Sequence, residues 1–160
     1  MLRSVEIELA VKFSPPFANT FSDRHIDFFF VSFLMPFNFL IMSNQLQQIA
    51  IRWFDAFNAK DLEKLLELYD DEAQHFSPKL KIRQPETNGL IIGKQAMRVW
   101  WQDAFERLTT LHYKVTSLTA NTDRVFMEYI RQVENEDDML IAEVLEVKDG
   151  KIIFSRVYHG

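Results

Sequence analysis

A chain of 160 residues, 48% hydrophobic and 26% charged, is long enough for one domain that buries its own core. Its 18 Lys and Arg against 23 Asp and Glu give a net charge of −5, the wrong balance for a nucleic-acid binder, which shows a basic excess or stripe. There is no cysteine, so disulfides and thiolate metal sites are excluded and a reducing cytoplasm is the natural setting.

The first 41 residues differ from the rest, with nine of the 15 phenylalanines between Phe13 and Phe39. The apolar run 28–41 has no helical period, holds Pro36, and is shorter than the roughly 20 residues a spanning helix needs. Glu6, Glu8, Asp23 and Asp27 precede it and no small-residue cleavage site follows, unlike a secretory signal. Residues 1–41 therefore read as a Phe-rich extension outside the fold, first of all an over-extended start ahead of Met42. A membrane anchor or uncleaved signal, and an apolar arm packed on the domain or a partner, are the alternatives. Residues 42–160 form the expected domain, and a membrane is not an expected partner.

Within it, Leu46, Ile49, Ala50, Trp53, Phe54 and Phe57 follow the spacing of one helical face. Asn58-Ala59-Lys60 interrupts this stripe, and Asp61 suits an N-cap for a short second helix carrying Leu62, Leu65, Leu66 and Tyr69. Ala73 to Ser77 reads as a short strand ended by Pro78, and Lys79 to Ile92 as a long connection of the kind that forms lids or plain surface loops. Lys79, Lys81 and Arg83 on it are placed either to meet an anionic substrate or as a solvated loop face. A third helix opens after Gly93, with Met97, Trp100, Trp101, Ala104, Phe105 and Leu108 on one stripe. Strands follow at His112 to Ala120, Arg124 to Glu134, Met139 to Val147 and Ile152 to His159, separated by Asn-, Asp- and Gly-bearing turns. Helices on one face of a curved sheet are the natural architecture.

One residue breaks the pattern. In the strand Met139 to Val147, Glu143 shares its parity with Met139, Ile141, Leu145 and Val147, so it should point inward with them. A carboxyl in such a place finds a partner or keeps its proton, and a neutral acid can donate to a substrate oxygen. The last hairpin decides its company. A two-residue type I′ turn at Asp149-Gly150 puts Glu143 opposite Arg156 in a structural ion pair. A type I turn at Lys148-Asp149 with Gly150 as a bulge puts it opposite Ser155, with His159 on the same face. The second register also sets Ile153 against Leu145 and Val157 against Ile141, and is the one expected. His75 and Ser77 alternate with Phe76 and share a face of their own strand, so Glu143, His75, His159 and Ser77 form the candidate constellation. His75, His159 and Glu143 are metal ligands by type, yet no spacing motif supports a metal, and no cofactor is expected.

The order of these elements, with Arg52-Trp53-Phe54, the segment from Lys60 to Ala73, Ser77-Pro78, the helix opened by Gly93 and the Asp149-Gly150-Lys151-Ile152 hairpin, resembles the SnoaL-like group of the nuclear transport factor 2-like superfamily, which includes polyketide cyclases and ketosteroid isomerases. The resemblance spans Met42 to the end. It implies an α+β fold: a cone-shaped, strongly curved antiparallel sheet around three N-terminal helices, an apolar pocket at the mouth, and a homodimer formed through the sheet. It also implies a small apolar organic ligand. The isomerases carry an aspartate base where this chain has Ser77, which leaves His75 as the nearby base, with an unperturbed pKa of about 6.5. Their donor tyrosine falls on Trp53 and their protonated acid on Glu143. The expected catalytic set is thus His75, Glu143 and Trp53, with Ser77, His159, Tyr69, Trp100 and Ser155 around the ligand. The activities implied are isomerisation, cyclisation or dehydration of a small carbonyl compound. A non-catalytic pocket or an interaction module is the alternative.

Overall fold

The computed structural model describes residues 44–159, so the Phe-rich extension lies outside the described residues. Helix α1 (44–59) buries the expected stripe: Leu46, Ile49, Ala50, Trp53, Phe54 and Phe57 are all inside. Asp61 then caps α2 (Leu62–Glu67), its carboxylate accepting from the Lys64 N–H at 3.1 Å. Tyr69 is not in that helix but opens β1 (Tyr69–Phe76), which is longer than the strand predicted from sequence.

The supposed connection after β1 is structured. Ser77 caps α3 (Pro78–Arg83), with Pro78 at its first turn and the Ser77 oxygen accepting from the Lys79 N–H at 3.2 Å. A single 3₁₀ turn (Pro85–Thr87) leads through Asn88 and Gly89, both at positive φ, into β2 (Leu90–Ile92). The expectation of a loop fails because burial of Leu80 and the Ser-Pro cap outweigh the loop-like composition. Helix α4 (Lys94–Arg107) follows Gly93 and buries Met97, Trp100, Trp101 and Phe105.

The last four strands are β3 (His112–Ala120), β4 (Arg124–Gln132), β5 (Met139–Lys148) and β6 (Lys151–His159). They join β1 and β2 in one six-stranded sheet of order β2-β1-β6-β5-β4-β3. All neighbours are antiparallel except β1 and β6, which run parallel, so the sheet is mixed rather than wholly antiparallel. Irregularities in register occur at Val115/Ser117, Glu146/Val147 and Tyr69/Gln74. Such bulges bend a strand and tighten its twist, which lets the open sheet curl over the helices. The core forms where the stripes of α1 and α4 meet Val125, Met127, Tyr129, Ile141, Leu145 and Ile152 on the concave face.

The last hairpin takes neither register considered from sequence. Asp149 and Gly150 form a two-residue turn with φ of 52° and 75°, as in type I′, and pair Lys148 with Lys151. A bulge at Glu146/Val147 then shifts the rest by one, so Glu143 faces Val157, Leu145 faces Ser155 and Ile141 faces His159. Arg156 pairs with Val144 on the opposite face and lies over the Phe154 ring, 4.4 Å from its centroid; it makes no ion pair with Glu143.

Candidate functional site

A cavity of about 260 Å³ opens between α4, α3 and the concave face of the sheet. Its floor is Trp53, His75, Tyr113, Tyr129, Glu143 and Trp101; Phe57, Trp100, Ala104 and Leu108 form the helical wall. The aromatic floor is a connected array. Trp53 lies parallel to Tyr113 at 5.8 Å, Tyr113 sits 4.6 Å from Tyr129, and Trp53 is 4.2 Å from Phe57.

Glu143 is 1% exposed. The Tyr129 hydroxyl donates to its Oε2 at 2.8 Å, while Oε1 is buried with no partner among the described residues. Burial drives the carboxyl pKa up to about 8, the Tyr129 hydrogen bond opposing this only in part, so the acid holds its proton at neutral pH. A neutral carboxylic acid donates through the oxygen that bears the proton, and Tyr129 already occupies Oε2. Oε1 is the atom available to a ligand oxygen. Tyr113 and Tyr129, both raised in pKa first by burial and then by Glu143, remain phenols.

His75 is also buried, and its Nδ1 lies 2.7 Å from Ser155 Oγ. The ring meets Trp101 edge-on at 5.5 Å. Burial pushes its pKa down to about 3, so it is a neutral imidazole with one nitrogen committed to Ser155. Trp53 Nε1 donates to the Tyr69 hydroxyl at 2.9 Å. The indole carries a single N–H, so the expected donation from Trp53 to a ligand is already spent; Trp53 contributes its face instead.

Of the residues singled out from sequence, His75, Glu143, Trp53, Ser77, Trp100 and His159 line one cavity. Tyr69 and Ser155 do not: they stand behind its wall, where they hold Trp53 and His75. Ser77 is occupied as the cap of α3. Among the described residues no three His, Asp or Glu side chains converge on a metal position.

Sequence reasoning passed over Tyr113, Tyr129 and Arg131. The parity argument used for Glu143 would have found two of them, since Val125, Met127, Tyr129 and Arg131 alternate inward along β4. Arg131 is 4% exposed, and its guanidinium donates to Glu136 Oε2 at 2.7 Å. With Lys79, Arg83, Arg107 and His159 it rims the mouth. Lys81, grouped with Lys79 and Arg83 in the sequence, is exposed and does not line the cavity.

The SnoaL-like domain family matches residues 50–154, more than half of the chain. The chain belongs to that family. None of the curated proteins matches it in sequence. Among solved structures, a SnoaL-like protein of unknown function from Burkholderia thailandensis is 25% identical, with a TM-score of 0.67 over 73% of this chain and 95% of that one. A candidate ketosteroid isomerase from Kribbella flavida is 19% identical, with a TM-score of 0.59 over 74% of this chain and 79% of the other. A nuclear transport factor 2-like protein from Anabaena variabilis, also 19% identical, gives a TM-score of 0.59 over 77% and 90%. These likenesses confirm the SnoaL-like, nuclear transport factor 2-like α+β fold expected from the sequence, with its sheet bent over the helices.

Proposed function

We propose that this SnoaL-like protein binds a small carbonyl compound in the cavity and polarises its oxygen with the neutral Glu143 acid. One observation carries the reading: Glu143 Oε1 is buried in the cavity wall without a partner among the described residues, although an unmet buried polar atom costs about 1–3 kcal/mol. A ligand oxygen accepting from that acid removes the cost. The same hydrogen bond strengthens as charge builds on the oxygen, which is how a preorganised donor lowers the barrier to enolate formation.

Turnover needs a base as well. His75 lines the same cavity with Nδ1 fixed by Ser155, which leaves Nε2 as its uncommitted nitrogen. Its depressed pKa makes it a weak base at neutral pH, so ligand binding leads. Acid–base isomerisation, cyclisation or dehydration through His75 and Glu143 is the second reading, favoured by their shared cavity.

The outer sheet face carries Phe126, Leu140 and Tyr158 in the open, which supports a homodimer through the sheet. The absence of cysteine supports a cytoplasmic setting. Among the described residues no helix is long and apolar enough to cross a membrane.

The test is the ionisation of Glu143 in the full chain, followed by its carboxyl carbon shift and assigned by difference against Glu143→Gln. Titration near pH 8 that moves higher when a carbonyl compound binds is the expected result. A midpoint at or below the ordinary value of 4.5 removes the donor and the proposal with it.

A further inference from the structure

We infer that the ligand is a small organic anion: its oxyanion head group sits at the cavity mouth against Lys79, Arg83, Arg107 and Arg131, and its carbonyl-bearing apolar body reaches down to Glu143. This deepens the preceding reading and rests on it.

The charge distribution argues for it. The chain is acidic overall, with 18 Lys and Arg against 23 Asp and Glu, yet among the described residues the cavity is lined by four cationic side chains and by a single ionised carboxylate, Glu136. The other carboxyl, Glu143, keeps its proton. The sign of the field at the mouth is therefore opposite to that of the molecule, and a cleft walled by apolar side chains focuses such a field.

The rim cations are only partly neutralised by their neighbours. Glu136 is taken by Arg131 at 2.7 Å. Asp103, on the outer side of α4, holds Arg107 at 2.8 Å and stands 3.9 Å from Arg83. Two carboxylates thus face four cations, and among the described residues Lys79 has no ion-pair partner. Two groups at the rim feel these charges. Lys79 is held below the usual lysine range, first by burial and then by Arg131; Glu136 opposes this, and Arg107 and Arg83 add to it. His159, half-buried at the rim, is lowered by burial, then by Lys79 and Arg131. Burial is the larger cause in both, and the neighbouring cations act in the same direction.

The depth of the residues sets the polarity of the ligand. Arg83 and Arg107 are exposed, Lys79 is half-buried, and Arg131 is buried; Tyr129 and Glu143 are among the most deeply buried of the lining. The guanidinium groups suit a planar or tetrahedral oxyanion, and the aromatic walls suit a flat body. A volume of about 260 Å³ restricts that body to the size of one or two rings.

The probes are 4-acetylbenzoate and 4-acetylbenzamide, which share a carbonyl at one end and differ only in the charge at the other. All three tryptophans of the chain, Trp53, Trp100 and Trp101, line the cavity, so their fluorescence reports occupancy directly. The acid is expected to bind the full chain about ten-fold more tightly than the amide at low salt, and the ratio to shrink as salt is added. Lys79→Gln should narrow the ratio to about two-fold and Lys79→Arg should restore it. Equal binding of both compounds overturns the anionic preference while leaving the carbonyl pocket standing. Binding of neither at millimolar concentration overturns the pocket reading, and the preference falls with it.

Discussion

Glu143 and His75 are buried titratable groups on one concave face, and they displace stability in opposite directions. Glu143 rises from 4.5 to about 8, so between those values the folded state holds a proton that the unfolded chain has released; stability falls as pH rises through this window. His75 drops from 6.5 to about 3, so between those values the unfolded chain binds the extra proton; stability falls as pH is lowered. From pH 4.5 to 6.5 the two slopes oppose each other. The expected curve has a plateau there, an acid limb below it, steepened by surface carboxylates paired with Lys or Arg such as Asp71 and Glu136, and an alkaline limb from pH 6.5 to 8. One proton gives that limb a slope of about 1.4 kcal/mol per pH unit. Urea denaturation across the range checks this. Glu143→Gln, which retains an acceptor for Tyr129, should flatten the alkaline limb and leave the acid limb in place. An unchanged alkaline limb would mean that Glu143 is not the group responsible.

At the scale of elements, the segment between β1 and α4 turns on Gly89. Its φ is +88°, its carbonyl accepts from the Ser77 N–H at 2.9 Å, and a Cβ there would lie 2.9 Å from Phe76 Cε2 and 3.3 Å from the Ser77 oxygen. Gly89→Ala combines an unfavourable backbone with a clash and should cost roughly 1–3 kcal/mol. A shift in denaturation midpoint measures it, and a neutral result would show that β2 can move aside.

The same segment shows where the sequence was hard to read. The stripes of α1 and α4 were legible because six or more apolar positions repeat at one period, and burial of Glu143 because a strand admits only two faces. The helix α3 escaped notice because Lys79, Lys81, Ile82 and Arg83 offer no apolar stripe; Leu80 alone is buried. The Ser77-Pro78 pair, a cap followed by a first-turn proline, was the missed signal. The register of β5 and β6 escaped for another reason. A bulge three residues from the turn leaves no mark in composition, and it moves every later pairing by one. The site suffered less than the register did. Residues two apart keep their face, so His159 and Ser155 still share the Glu143 side, and only their opposite numbers changed.

At the scale of the whole molecule, the two faces of the sheet have different tasks. The concave face builds the core and cavity. The convex one exposes Leu140 at 57%, Tyr158 at 46% and Phe126 at 39%, with Ile130, Val144 and Phe154 half-covered beside them. Sedimentation of the full chain at micromolar concentration should show a dimer, and Leu140→Glu should give a folded monomer with the cavity intact, since Leu140 points away from it. A wild-type monomer, or a mutant that stays dimeric, would place the contact elsewhere.

The parallel pairing of β1 with β6 also governs how the molecule comes together. β6 is the last strand in chain order but sits between β1 and β5, and the hydrogen bond that fixes the His75 ring joins residues 80 positions apart. Until β6 is in place, β1 and β2 have no link to the β3-β4-β5 meander, and the cavity lacks one wall. Closing that span is a long-range step, of the kind that slows folding. The meander should therefore form early and the binding site last, in the same event that completes the sheet.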